Sequence, residues 1–167
     1  MKIYELNKIQ FINQPIDVVF NFFSKPENLA LITPSKLAFK ILTPTPIMIT
    51  KGTLIDYTIR LMRFSVHWRT LITKYNPPHE FVDEQIKGPY KFWHHTHTFK
   101  VIDSGVEISD TVTYSIPMGI LGQVLHQIWI KKELEKIFDY RKMVIDRLFT
   151  TNESEILNIE GYKGFTA

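Results

Sequence analysis

KFWHHTHTFKVIDSGVEISDTVTYSI, residues 91–116, decides the fold. It holds two runs of β-branched and aromatic residues, 91–102 and 106–116, around Asp103-Ser104-Gly105. Strand formers on either side of a short Gly-containing turn read as a hairpin. Four more such runs precede it: KLAFKIL (36–42), GTLIDYTIRLM (52–62), VHWRTLITKY (66–75) and EFVDEQI (80–86). Pro44 and Pro46, Asn76-Pro77-Pro78 and Gly88-Pro89 punctuate them. Consecutive strands on short connectors predict an antiparallel meander.

Towards the N-terminus, KIYELNKIQFIN (2–13) mixes Ile3, Leu6, Ile9 and Phe11 with Lys2, Glu5, Lys8 and Gln10, the pattern of a half-buried strand. Pro15 then opens a short helix in which Ile16, Val19, Phe20 and Phe23 recur at helical spacing. Ser24 and Pro26 start a second, PENLALI, and Pro34 closes it. Towards the C-terminus, beyond the Gly119/Gly122 loop, Leu121, Val124, Leu125 and Ile128 continue as Leu134, Ile137, Phe138, Ile145 and Leu148. This predicts one amphipathic helix to Phe149, about 40 Å long. Lys131, Lys132, Glu133, Glu135, Lys136, Lys142 and Asp146 form its solvated side.

The expected architecture is α+β: a twisted seven-stranded antiparallel sheet wrapped around a long C-terminal helix, with two short helices after strand 1. Residues 1–149 form one domain, consistent with the roughly 100–200 residues that one core serves, and 150–167 a tail. A curved sheet gripping a single helix seldom closes flush along its length, so an apolar gap between the two is expected.

Composition narrows the function. The chain has 167 residues, 13% of them aromatic, enough to line a hole with rings. A net charge of +3 comes from Lys and Arg spread along the sequence, not the dense basic stripe of a nucleic-acid reader. There is no cysteine, hence no disulfide and no thiolate zinc site. The first residues, MKIYELNKIQ, lack the apolar core of a signal peptide, and no apolar run approaches the ~20 residues of a membrane span. A cytoplasmic protein without integral membrane contact is expected; its oligomeric state is open.

The order of elements resembles the START-like, helix-grip superfamily, also called SRPBCC, with its polyketide cyclase, pollen-allergen and lipid-transfer members. WRTLITKYNPPHEFVDEQIKGPYKFWHHTHTF (68–99), DTVTYSIPMGILG (110–122) and LEKIFDYR (134–141) look like a bacterial subgroup of small ligand-binding SRPBCC proteins. The resemblance covers residues 1–149. It implies a cavity between sheet and helix for a small hydrophobic ligand, but no particular chemistry, because carriers, receptors, cyclases and oxygenase subunits share the fold.

A strand period of two sorts the histidines. Trp93, His95, His97, Phe99 and Val101 share one face; Phe92, His94, Thr96, Thr98 and Lys100 share the other. The first, ending in apolar bulk, is expected to face the helix, which leaves His94 on the surface. Neighbouring strands offer Trp68, Thr70 and Ile72; Phe81, Asp83 and Gln85; and Asp110, Val112 and Tyr114. Trp68, Phe81, Trp93, Phe99 and Tyr114 would then make an aromatic wall, and Asp83, Gln85, His95, His97 and Asp110 a polar girdle within it. Thr70 and Ile72 complete the expected ligand-binding set.

Buried polar groups persist only where they satisfy one another, hold water or meet a ligand. The girdle is therefore either a self-satisfied network or the part of a pocket that orients an amphipathic guest. The alternative is general acid/base chemistry by His95, His97, Asp83 and Asp110, as in a cyclase, dehydratase or hydrolase. There is no recognisable nucleophile, Gly-x-Ser-x-Gly turn or phosphate-cradling loop. A metal reading of His95-x-His97 wants a cupin-like Glu where Val101 and Ile102 stand, and only Asp83 or Asp110 could be the third ligand. Neither cofactor nor metal is expected.

Among the rest, His67 is expected outward, His79 in a turn, His126 on the long helix, and Trp129 on that helix as plain core rather than a gate to the cavity. Phe22, Phe23 and Leu29 are candidates for the cavity mouth, and Arg69 and Arg141 for surface ion pairs.

Overall fold

The computed structural model describes residues 1–150; residues 151–167, nearly all of the expected tail, lie outside them. The elements run β1 (Tyr4–Ile12), α1 (Ile16–Phe23), two short 3-10 turns (Pro26–Ala30 and Ser35–Leu37), β2 (Lys40–Ile41), β3 (Leu54–Leu61) and β4 (Phe64–Asn76). β5 (Glu80–Lys87), β6 (Phe92–Ile102) and β7 (Gly105–Ser115) follow. Finally α2 (Gly119–Leu125), a π-helical turn (His126–Ile130) and α3 (Lys131–Thr150) run on as one long helix. The sheet is antiparallel, in the order β1-β7-β6-β5-β4-β3-β2. β2 to β7 form the meander, and β1 crosses over to pair with β7. No described helix is long and apolar enough to cross a membrane.

Register shifts at Arg69/Thr70 and Ile72/Lys74 bulge β4 against β5. Bulges bend a strand and increase its twist. The concave side receives α3, whose Leu134, Phe138, Ile145 and Leu148 are buried. At one end Phe20 of α1 meets Phe99 edge-on at 5.2 Å, while Phe81 stacks along Phe99 at 6.1 Å. At the other, Trp68, Trp93, Val112 and Tyr114 pack with Leu134 and Phe138.

Several local expectations are corrected. The run 36–42 gives only two strand residues, because Ser35–Leu37 turns first and Ala38 adopts a left-handed conformation. The second short helix forms as the 3-10 turn Pro26–Ala30, but Ser24 does not cap it; its hydroxyl donates to the Asn21 carbonyl at the end of α1. In β1 the inward side is Tyr4, Leu6, Gln10 and Ile12, leaving Ile9 and Phe11 exposed. Gln10 is buried because it donates to Asp146 Oδ1 at 2.7 Å and to the Lys142 carbonyl at 3.1 Å on α3. Val101, at the hairpin end of β6, is 57% exposed and leaves the inward set.

The largest correction concerns the start of the long helix. Leu121, Val124, Leu125, Ile128 and Trp129 are exposed, while Gly122 and His126 are buried. The π-helical turn admits an extra residue, so the row facing the sheet runs through Gly122 and His126 before it reaches Leu134 and Phe138. Gly122 sits so close to the Pro117 carbonyl that a Cβ there would collide with it.

Candidate functional site

The site is assembled from alternate residues of neighbouring strands. Register places Asp83 opposite His95, Phe81 opposite His97, and His97 opposite Asp110. These four polar side chains therefore meet on the covered side of the sheet. A cavity of about 180 Å³ lies between them and α3. Its lining includes Trp68, Thr70, Ile72, Phe81, Asp83, Trp93, His95 and His97 from the strands. Leu134, Ile137, Phe138 and Arg141 line it from the helix, and Phe22, Phe23 and Leu29 near α1.

Four expected residues do not line the cavity. Phe99 is 2% exposed and belongs to the core against Phe20 and Phe23. Tyr114 is turned to the long helix, its hydroxyl 2.8 Å from His126 Nε2. Burial raises the phenol to about 12, and burial also lowers His126, so a neutral phenol meets a neutral imidazole. His126 in turn stacks on Tyr4 at 3.6 Å. Asp110 lies behind the two imidazoles. Gln85 holds the turn beneath the cavity: its Nε2 donates to the Tyr90 carbonyl (2.7 Å), and Tyr90 N–H donates to its Oε1 (3.2 Å).

That turn explains Gly88, where a Cβ would run into the Gln85 carboxamide. Gly88→Ala is expected to break both hydrogen bonds and cost about 1–3 kcal/mol, read from urea unfolding. Tyr90, which the turn positions, packs on Trp93 at 4.7 Å.

The polar cluster is a closed ring. His95 Nε2 lies 3.1 Å from Asp110 Oδ1 and His95 Nδ1 3.5 Å from Asp83 Oδ2. His97 Nε2 is 3.0 Å from Asp83 Oδ2. His97 Nδ1 approaches Asp110 Oδ1 to 2.7 Å without the alignment of a hydrogen bond. Burial works against ionisation of Asp83, but the hydrogen bond from His97 and the charges of both imidazoles hold its pKa below the ordinary range. Asp110 is lowered likewise, with the His97 charge the main opponent of burial. Burial, then the charge of His97, lowers His95. His97 is raised, because the charges of Asp110 and Asp83 and the hydrogen bond to Asp83 overcome burial.

Some lining residues carried little sequence signal. Tyr57 shares a face with Ile55 and Ile59 on β3, so a period of two could have found it; it stacks on Trp68 at 5.8 Å. Tyr90 follows a Gly-Pro turn, outside any strand period. Arg141 falls three residues after Phe138, on the same helix face. It forms no ion pair with a carboxylate among the described residues, and its guanidinium lies over the Phe138 ring at 4.9 Å. Arg69, in contrast, forms the expected surface pair, with Asp56 at 2.9 Å. His67 shares that carboxylate, and His94 pairs with Glu84 on the outer side of the sheet.

No protein-family model matches the sequence, and no curated protein is significantly similar to it. Solved structures do share its fold. CV1439 from Chromobacterium violaceum aligns with a TM-score of 0.68 at 11% identity, over 89% of this chain and 98% of that one. TTHA0849 from Thermus thermophilus gives 0.66 at 15%, over 87% and 99%. The major latex-like protein 151 of Panax ginseng gives 0.65 at 10%, over 89% and 98%. At such identities the likeness is one of fold, a helix-grip α+β fold.

Proposed function

We propose that this helix-grip chain binds a small amphipathic molecule beneath its long helix, as a cytoplasmic carrier or sensor. The observation that carries the reading is a ring-lined cavity furnished with unpaired donors. Trp68 Nε1 and Arg141 Nε are buried without a hydrogen-bond partner, and both residues line the cavity. Buried polar atoms in native proteins are almost always satisfied. A guest that accepts from the indole N–H and the guanidinium would satisfy both.

Size restricts the guest. The cavity of about 180 Å³ is little larger than the engineered hole of about 150 Å³ that takes up benzene. A molecule of one or two rings fits, with its apolar body against Trp68, Trp93 and Phe138 and its acidic or acceptor end towards Arg141. Affinity would come from apolar burial, near 25 cal/mol per Å², and orientation from the polar groups.

The test is titration with a naphthalene sulfonate and with neutral naphthalene, followed by tryptophan fluorescence. Ile137→Trp, which fills the cavity from the helix side, is expected to weaken both probes at least tenfold while leaving the circular dichroism unchanged. Arg141→Gln is expected to weaken the sulfonate about tenfold or more, the scale of a lost charged hydrogen bond, and to leave naphthalene unaffected. Undiminished binding of both probes to Ile137→Trp would place the guest elsewhere and refute the reading.

A further inference from the structure

The ring of Asp83, His95, Asp110 and His97 has an asymmetry that a simple buried network does not need. Each imidazole turns one nitrogen to Asp83 and the other to Asp110. His95 Nδ1 and His97 Nε2 face Asp83 Oδ2 at 3.5 and 3.0 Å. His95 Nε2 and His97 Nδ1 face Asp110 Oδ1 at 3.1 and 2.7 Å. Asp83, His95 and His97 line the cavity, whereas Asp110 stands behind the rings, 8% exposed.

A neutral imidazole carries one N–H and one lone pair. If both rings give their N–H to Asp110, which for His97 means a realigned Nδ1–H in place of the present Nε2 bond to Asp83, two lone pairs and a carboxylate oxygen converge on the cavity side. Three such donors repel one another unless a cation stands between them. Their ligand atoms all lie within 4.8 Å of each other. Nitrogen and oxygen donors about 2.0–2.2 Å from one tetrahedral ion stand about 3.3 Å apart, which the 3.0 and 3.5 Å separations bracket.

We propose that Asp83, His95 and His97 bind a divalent first-row transition-metal ion at the head of the cavity, with Asp110 as the outer carboxylate that orients both rings. Two histidines and one carboxylate on one face leave the remaining coordination positions open. An outer carboxylate on the far N–H of a ligating histidine is the usual support of such a centre. Two imidazoles in the donor set select against calcium and magnesium, which prefer oxygen. The third ligand that His95-x-His97 lacks in sequence comes from β5, brought opposite His95 by strand register. The open positions face the cavity, so a guest with an acidic or hydroxyl end could complete the coordination; that extension rests on the binding reading above.

The probes are zinc(II) and cobalt(II), titrated into chelator-treated full-length protein and followed by calorimetry and by the visible absorption of cobalt. One equivalent is expected to bind at micromolar concentration or tighter, unaffected by excess magnesium. Asp83→Asn, His95→Gln and His97→Gln should each weaken it about a hundredfold or more, and Asp110→Asn about 10–100-fold. His94→Gln, on the outer face, should change nothing. The proposal is overturned if the folded wild-type chain takes up neither ion at millimolar concentration. It is equally overturned if the three ligand variants, folded by circular dichroism, bind as the wild type does, or if His94→Gln abolishes binding. Naphthalene uptake by the same samples separates the two readings: metal lost with uptake intact removes the metal centre alone, and uptake lost in the wild type removes the cavity reading.

Discussion

Replacing Asp110 by alanine is expected to destabilise the protein by about 3–5 kcal/mol, the usual consequence of removing one partner from a buried ionic cluster. Asp110 is 8% exposed and meets both His95 and His97. Without it two imidazoles remain buried with one carboxylate between them. Asp110→Asn keeps the shape and one acceptor oxygen, so it should cost less. Urea unfolding of the two variants beside the wild type measures the difference.

The same cluster sets a pH dependence in metal-free protein. Asp83 and Asp110 are depressed in the folded state, because the hydrogen bonds and charges of the histidines outweigh burial. Their contribution is complete above the unfolded carboxylate value of about 4 and is lost as pH falls through the lower folded values. His97 is raised, against the pull of burial, by Asp110 and Asp83. Its contribution is complete below about 6.5 and is lost as pH rises through the folded value. His95 is depressed by burial and by the charge of His97 and acts in the opposite sense over that range. A steep acid limb below about pH 4 and a shallow alkaline one are expected. Asp110→Asn should flatten the acid limb, and an unchanged limb would mean that other carboxylates dominate it.

Phe99→Ala is expected to cost a similar amount, about 3–5 kcal/mol, as large aromatic truncations in packed cores do. Phe99 meets Phe20 and Phe23 edge-on at 5.2 and 5.4 Å and shares the core with Phe81. Its sequence position, two residues from His97 on the inward face, makes it look like a wall of the binding cavity. The structure instead puts it beneath α1, outside the lining. The variant should therefore lose stability by thermal and urea unfolding. Any folded fraction at low temperature should bind naphthalene with nearly wild-type affinity. A selective loss of binding at unchanged stability would return Phe99 to the cavity wall.

Much of the arrangement was legible because it is local. Strand alternation put His95 and His97 on one face with Trp93 and Phe99, and turn residues separated the strands of the meander. The misreadings arise where distance in sequence matters. Gln10 looked like a surface residue of β1 until Asp146 and the Lys142 carbonyl were brought against it. Gln85 shares a face with Asp83, yet its carboxamide is taken by the Tyr90 backbone. Leu121, Val124, Leu125 and Ile128 follow an apolar period, but the π-helical turn changes which row meets the sheet. Arg141 read as one more charged helix residue; its unpaired Nε and its place in the lining emerge only with the sheet opposite.

By itself the sequence determined the order of the main elements and which side chains of β6 share a face, since strand geometry imposes a period of two. It also determined that thiolate chemistry is excluded, because the chain has no cysteine. Only the tertiary structure decided which nitrogen of each histidine meets which aspartate, and which side chains reach the cavity. Those relations join β5, β6, β7 and the long helix, and strand register and helix packing depend on contacts among residues far apart in the chain.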